Sequence, residues 1–520
     1  MRRFLPLLAA IFLAPAASLA QEAGQPAADV AAPAAAPAAS GGARALSLEE
    51  ALRLAEAAGE GVRIAVAEVD RARAQRREAR SERFPQLDAS SSYTRTLHSE
   101  FEDVDFDFGG DSGSSDLSNL PFGQRNQYRL GLVVNQSLWS GGRISAQTRA
   151  AEAGQSAAET GLGAARAELA LDVTQAYFDA LLLDRLVSIS EATLQQADRA
   201  FEQTKLAREV GNQSEFELLR AQVTRDNERP QLLQRRADRD LAYARLAQLI
   251  DAPPDQALEL TTGFADFSAW EARGAVPPAA DRMAWLARLA DGRAPVRQAR
   301  AAAEVQEAQV RIARALRLPS VGVSSDYGRV AYPVGGLPAW GDTRTNWTVG
   351  LGLRVPLLTG GRLAAREAQE RAVLDQARAR LDRTRELAWL EARDALDRLG
   401  AADAVFQAAF GNVAQAQRAY EIAELRYREG LSTQLELNDT RIALTFSQGM
   451  AALAARNLQV ARARVALLPD LPLGAGGPNV TLTLASAGAA GIQVPASASS
   501  SPATAGGNPT TSSSPGGFPQ

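Results

Sequence analysis

Apolar and polar residues alternate along residues 127–138. Tyr128, Leu130, Leu132, Val134 and Leu138 fall on one side, and Gln127, Arg129, Gly131, Asn135 and Ser137 on the other. The pattern returns further on, where Trp347, Val349, Leu351, Leu353, Val355 and Leu357 oppose Asn346, Thr348, Gly350, Gly352 and Arg354. A period of two places one face of a strand in an apolar medium and the other in water. It predicts strands at about 126–139 and 345–358, with partners at about 86–97 and 319–332. Segments of about 10 residues fit tilted strands that cross a membrane. An amphipathic sheet on a soluble core has the same pattern, so the strands alone do not decide between the two.

The stretches after the strands have a different period. Residues 142–210 and 361–429 contain no proline, and each is 69 residues long. As helix, 69 residues span about 100 Å. Apolar residues recur in steps of four and three, as at Phe406, Phe410, Val413 and Tyr420, which predicts a coiled-coil seam. Gly211 and Gly430 end these helices. Ser214-x-x-Glu217 and Thr433-x-x-Glu436 restart them as capping boxes, and the return helices run to about Ile250 and Leu468. Ser47-x-x-Glu50 starts an earlier helix that runs toward Arg83 and stops before Pro85, as Pro319 stops its counterpart.

The body is a tandem repeat. Arg83-Phe-Pro-Gln-Leu-Asp-Ala-Ser-Ser-Ser-Tyr-Thr-Arg95 matches Arg317-Leu-Pro-Ser-Val-Gly-Val-Ser-Ser-Asp-Tyr-Gly-Arg329, an offset of 317 − 83 = 234. Leu138-Trp-Ser-Gly-Gly-Arg143 matches Leu357-Leu-Thr-Gly-Gly-Arg362, an offset of 357 − 138 = 219. The difference is a 15-residue insertion between Arg95 and Tyr128 in the first copy. The repeats cover 46–252 and 281–469, joined by a connector at 253–280. Four strands cannot close a membrane barrel, and open edges cannot face lipid, so spanning strands require several chains.

The two ends lie outside the repeats. Residues 1–20 read as a signal peptide, with Arg2 and Arg3 before an apolar run and Ala20 at the cleavage point. Residues 21–45 are Ala/Pro-rich and 470–520 Ser/Pro/Gly-rich, which predicts disorder at both ends. The sequence of 520 residues contains no cysteine and one histidine, His98. That excludes disulfides, thiolate metal sites, multi-histidine centres and a lipid anchor on cysteine. A net charge of −4 argues against general nucleic-acid binding. The single lysine, Lys205, is not in a phosphate loop. Gly110-Asp-Ser-Gly113 mimics a protease nucleophile without a surrounding fold, and no cofactor, metal site or enzyme activity is expected. The insertion is acidic, and its Asp103-x-Asp105-x-Asp107 lacks the glycine and glutamate of a calcium loop. It reads as a solvated surface loop.

The doubled helix-Pro-strand junctions, Gly-Gly-Arg turns and Gly-then-Ser/Thr tips, in this order over about 46–469, resemble the TolC family of outer-membrane efflux proteins. The resemblance implies a mainly α protein with a membrane β-barrel: a homotrimer whose 12-stranded barrel continues into a 12-helix α-barrel in the periplasm. It implies a passive exit duct in the outer membrane for efflux or type I secretion. An inner-membrane pump, proton-driven or ATP-driven, would drive export through a periplasmic adaptor. The chain departs from the pattern at Gly59-Glu-Gly61, where the family often has Asn-Pro, and at Ser432, where some members have arginine.

The same resemblance places Glu436, Asp439 and Glu217 at the periplasmic entrance. Glu436 and Asp439 are three apart and share a helix face. Val210, Gly211, Asn212, Glu429, Gly430 and Leu431 resemble the surface where adaptors dock. Gly141, Gly142, Gly360 and Gly361 make the strand–helix turns. The alternative is a periplasmic coiled-coil adaptor or structural protein, although that class carries one hairpin and this chain has two.

Overall fold

The computed structural model describes residues 44–98, 126–211, 213–253, 256–265, 282–333 and 343–475. The expected signal peptide, most of the Ala/Pro-rich segment, the acidic insertion and the tail from 476 lie outside the described residues.

The first repeat begins with β1 (Arg44–Leu46), α1 (Leu48–Ala58) and α2 (Glu60–Ser81). Strands β2 (Gln86–Arg95) and β3 (Asn126–Trp139) follow, then α3 (Arg143–Glu209) and α4 (Glu215–Leu249). A short β4 (Leu258–Leu260) leads into the second repeat: α5 (Arg282–Gly292), α6 (Ala294–Ala315), β5 (Ser320–Ala331), β6 (Arg344–Arg354), α7 (Arg362–Arg428) and α8 (Gln434–Leu467). Helices α3 and α7 are both 67 residues long, so each runs about 100 Å. No described helix is long and apolar enough to cross a membrane.

The four longer strands form one antiparallel sheet, ordered β2-β3-β5-β6. Each hairpin of strands leads into a long helix through two glycines. Gly141 and Gly142 have φ of 62° and 86°, and Gly360 and Gly361 have φ of 57° and 79°. Side chains disfavour this left-handed region, and a Cβ on Gly141 would also sit 2.8 Å from Leu318 Cβ.

Several elements differ from the sequence reading. The first helix is broken at Gly59, whose Cβ would meet the Ala55 carbonyl oxygen and Leu169 Cδ2, both at 2.7 Å. Strand β2 ends at Arg95 and β6 at Arg354; Pro356 lacks the N–H that would continue β6. Arg44 and Ala45, assigned by sequence to disorder, pair with Leu258 and Glu259 in a parallel ribbon. The connector therefore carries a strand. Tyr177 holds the ribbon: its hydroxyl donates to the Leu46 carbonyl at 3.0 Å and accepts from Thr262 N at 2.9 Å. The start of the assigned tail is also packed. Leu471 is buried in the core with Leu46, Leu171, Tyr177 and Phe178, and its carbonyl accepts from Arg293 Nη2 at 3.3 Å.

The coiled-coil seam is also corrected. Phe406 and Phe410 touch, with ring centroids 6.2 Å apart, but Phe410 is 70% exposed. Tyr420 of the expected seam is buried, and the rest of the buried stripe of α7 keeps steps of seven, four and three through Leu374, Leu381, Ala388, Ala392 and Ala395. Alanine lets helix backbones approach closely, and Phe410 is the member of the expected seam left exposed.

Candidate functional site: sheet faces and hairpin tips

The register of the sheet sorts its side chains into two faces, because directly opposed residues point the same way. Tyr128 opposes Tyr93 and Ala331, Leu132 opposes Ala89 and Tyr327, and Tyr327 opposes Trp347. Continuing down β6, this face carries Val349, Leu351 and Leu353, opposite Ser325, Val323 and Val321. The second face carries Ser90, Ser92, Gly131, Asn135, Ser324, Asp326, Thr348 and Gly350. Among the described residues nothing covers the β6 side of the apolar face: Trp347 is 61% exposed and Leu351 71%. The register shifts between Ser137 and Trp139, so Trp139 and not Leu138 lines up with Val321. A bulge of this kind adds one residue and re-aims the next side chain, here a tryptophan onto the apolar face.

Two aromatic pairs sit on that face at equivalent places in the repeat. Tyr93 and Tyr128 have centroids 4.7 Å apart, and Tyr327 and Trp347 6.5 Å apart. One polar end of each pair is satisfied: Tyr93 Oη donates to Asn126 Oδ1 at 3.0 Å and Trp347 Nε1 to Ser325 Oγ at 3.0 Å.

At the far ends of the long helices, the chain reverses at Gly211 and Gly430, with φ of 80° and 70°. Gly211 N donates to the Arg208 carbonyl at 2.9 Å and Leu431 N to that of Arg426 at 2.8 Å. Val210, Gly211, Glu429, Gly430 and Leu431 are exposed. Asn212 lies outside the described residues. Ser214 Oγ accepts from Glu217 N and Thr433 Oγ1 from Glu436 N, each at 3.3 Å. The carboxylates of these boxes turn elsewhere. Glu436 lies 3.9 Å from Arg426 Nε, and with the Gln434 amide turned to donate, its nitrogen stands 2.7 Å from Glu217 Oε2. Gln434 thus joins the first tip to the second. Asp439 is exposed on the next turn of α8.

A deeper contact joins the hairpins below the tips. Arg441 on α8 donates from Nη1 to Glu228 on α4 at 3.0 Å and from Nη2 to Asn438 at 3.0 Å. Thr204 and Tyr427 share a hydrogen bond at 3.3 Å, and Thr193 and Thr445 one at 3.2 Å. A polar cavity of about 140 Å³ lies among Arg199, Gln203, Tyr420, Tyr427, Gln434 and Arg441. Burial, then the nearby Glu424 carboxylate, pushes the Tyr420 hydroxyl above its ordinary range. Sequence reasoning missed Arg441, Glu228 and Gln434; their only signal is polarity at inward helix positions.

At the other end of the long helices, buried Glu367 on α7 accepts from Arg314 Nε at 2.8 Å, Arg317 Nη1 at 2.9 Å and Arg371 Nη2 at 2.6 Å. The Arg314 bond, then that of Arg317, holds its carboxyl below the ordinary range. Among the described residues no group of acidic or histidine side chains is arranged to hold a metal.

The model of the family described as outer membrane efflux protein matches residues 51–252 and 285–468. The chain belongs to that family. Its relatives include the solvent efflux pump outer membrane protein SrpC of Pseudomonas putida, 26% identical over 408 residues, which cover 76% of this chain and 80% of the relative. Nodulation protein T of Rhizobium leguminosarum bv. trifolii is 26% identical over 317 residues, covering 59% of this chain and 64% of that one. The crystal structure of VceC from Vibrio cholerae has the same fold at 23% identity, with a TM-score of 0.64 over 81% of this chain and 96% of that one. CusC aligns with a TM-score of 0.67 at 19% identity, over 81% and 91%. The efflux family places the protein in the outer membrane and sets aside the periplasmic adaptor reading.

Proposed function

We propose that three copies of this outer-membrane efflux protein close their four-stranded sheets into one 12-stranded barrel, continued by 12 helices into the periplasm. The observation that carries this reading is that, among the described residues, the sheet has an uncovered apolar face and two open edges. Lipid tolerates such a face but not open edges, so β2 and β6 must be paired by neighbouring copies. The second face, rich in serine, glycine and asparagine, then lines a watery pore. The long helices hang from the Gly-Gly turns as a tube whose inner end is the two tips.

The chain works as a passive exit duct, and an inner-membrane pump drives export through a periplasmic adaptor. Relatives named as outer membrane components of efflux pumps support this placement. Glu436 and Asp439 give six carboxylates around the entrance of a threefold tube, with Glu217 beside them through Gln434. Rings of acidic side chains favour cations. The exposed turns at Val210–Gly211 and Glu429–Leu431 are the surface offered to the adaptor. Incorporation into planar lipid bilayers tests the reading: purified protein should form discrete ion-conducting pores, and a protein that never conducts speaks against a duct.

A further inference from the structure

The base of the sheet, where the strands give way to the long helices, borders an open cleft of about 880 Å³. Arg143, Arg354 and Arg362 border it, and its one acidic neighbour is Glu82. That carboxylate is already engaged by Arg143 Nη1 at 3.0 Å. Among the described residues, neither Arg354 nor Arg362 has an ion-pair partner, and both are exposed. The cleft therefore carries two uncompensated guanidinium groups per chain. Its other polar lining consists of hydroxyls and amides, including Ser137, Ser320, Ser324 and Asn135.

Register decides which way Arg354 points. It opposes Ser320 and follows Gly350 and Gly352 along β6, so it shares their polar face and not that of Leu351 and Leu353. Arg362 is reached through the Gly360–Gly361 turn, and Arg143 through the equivalent turn of the first repeat. Forked guanidinium groups beside hydroxyl and amide donors are the donor set that binds phosphate and carboxylate oxygens.

We propose that Arg354 and Arg362 form a collar inside the duct that holds multivalent oxyanions, phosphorylated or polycarboxylate solutes, at the junction of barrel and tube. The assignment rests on the barrel reading above, since that reading makes the polar face the lumen. With three chains the collar presents six guanidinium groups, and the three Arg143–Glu82 pairs beside it add no net charge. It lies about 100 Å from the acidic tips. Charges screen over about 8 Å at physiological salt, so the two rings act independently.

The test uses the full-length protein in bilayers of purely zwitterionic lipid, with sodium tripolyphosphate as the probe. Micromolar to millimolar tripolyphosphate should reduce the current through the unaltered pore in a saturable way. Arg354→Gln with Arg362→Gln should weaken this block about tenfold or more, since hydrogen bonds to charged groups are the stronger kind. The double lysine variant, which keeps the charge and loses the fork, should fall between. Equal block in the unaltered and glutamine proteins overturns the collar. So does a current that ignores tripolyphosphate but responds to added phosphatidylglycerol, because the arginines then face lipid headgroups. If the glutamine variant does not assemble, calorimetry on the unaltered detergent-purified protein decides: saturable tripolyphosphate binding supports the collar, and none overturns it. Absence of any pore from the unaltered protein would instead overturn the barrel reading.

Discussion

Arg441 and Glu228, 213 residues apart in sequence, form an ion pair at 3.0 Å that ties the second return helix to the first. Their side chains are 8% and 17% exposed, so water screens the pair little. Removing one partner leaves a largely buried charge unpaired. Arg441→Ala should therefore lower stability by about 1–3 kcal/mol, below the range for fully buried pairs. A double-mutant cycle with Glu228→Ala, followed by thermal unfolding, measures the coupling. A coupling near zero would show that the two hairpins are held by packing alone.

The sheet faces predict an asymmetry between neighbouring residues. Leu351→Arg puts a charge on the apolar face and should cost about 2–4 kcal/mol near the bilayer midplane. Thr348→Arg, on the polar face, should be tolerated far better. The yield of assembled protein extracted from outer membranes reads the difference. Equal tolerance at the two positions would mean that the facing is wrong.

At the entrance, Glu436→Gln with Asp439→Asn removes six charges from a threefold assembly. The Glu436 N–H bond to Thr433 Oγ1 uses the backbone, so the helix cap survives the change. Cation preference and block by trivalent cations from the periplasmic side should both fall, with assembly intact. Unchanged selectivity in a well-folded variant would move the constriction elsewhere.

Acid should loosen the junction between strands and helices. Glu367 is held below its ordinary 4.5 by Arg314 and Arg317, so its folded value lies below its unfolded one. The stability it contributes is fully present above about pH 4.5 and is lost as pH falls through the lowered value. Glu367→Gln should be less stable near neutrality and should lose part of this acid sensitivity. Unfolding midpoints between pH 3 and 7 check it; parallel curves for both proteins would remove Glu367 from the acid response.

Much of this architecture is legible in the sequence because it is local. The Gly-Gly turns need left-handed glycine, the tips need a cap, and the alternation of β6 needs only its own residues. What escaped depends on distant chain. Leu46 is a strand residue only because Leu260 pairs with it and Tyr177 donates to its carbonyl. Gln434 matters only because Glu217 stands across from it. Phe410 has the size for the seam but stays exposed, whereas alanines share the buried stripe with Leu374, Leu381 and Tyr420. Trp139 reaches the apolar face through a one-residue bulge that no period-two pattern anticipates. The resemblance to the efflux family rested on the doubled order of motifs, and the family match spans the same two repeats.

The central claim is that open-edged sheets close only between chains, and the mass of the detergent-purified complex tests it most directly. Light scattering corrected for bound detergent, or native mass spectrometry, should give three chains per particle, with none of the protein soluble when detergent is withheld. A stable single chain in detergent would contradict the account, because β2 and β6 would then carry unpaired edges in the membrane.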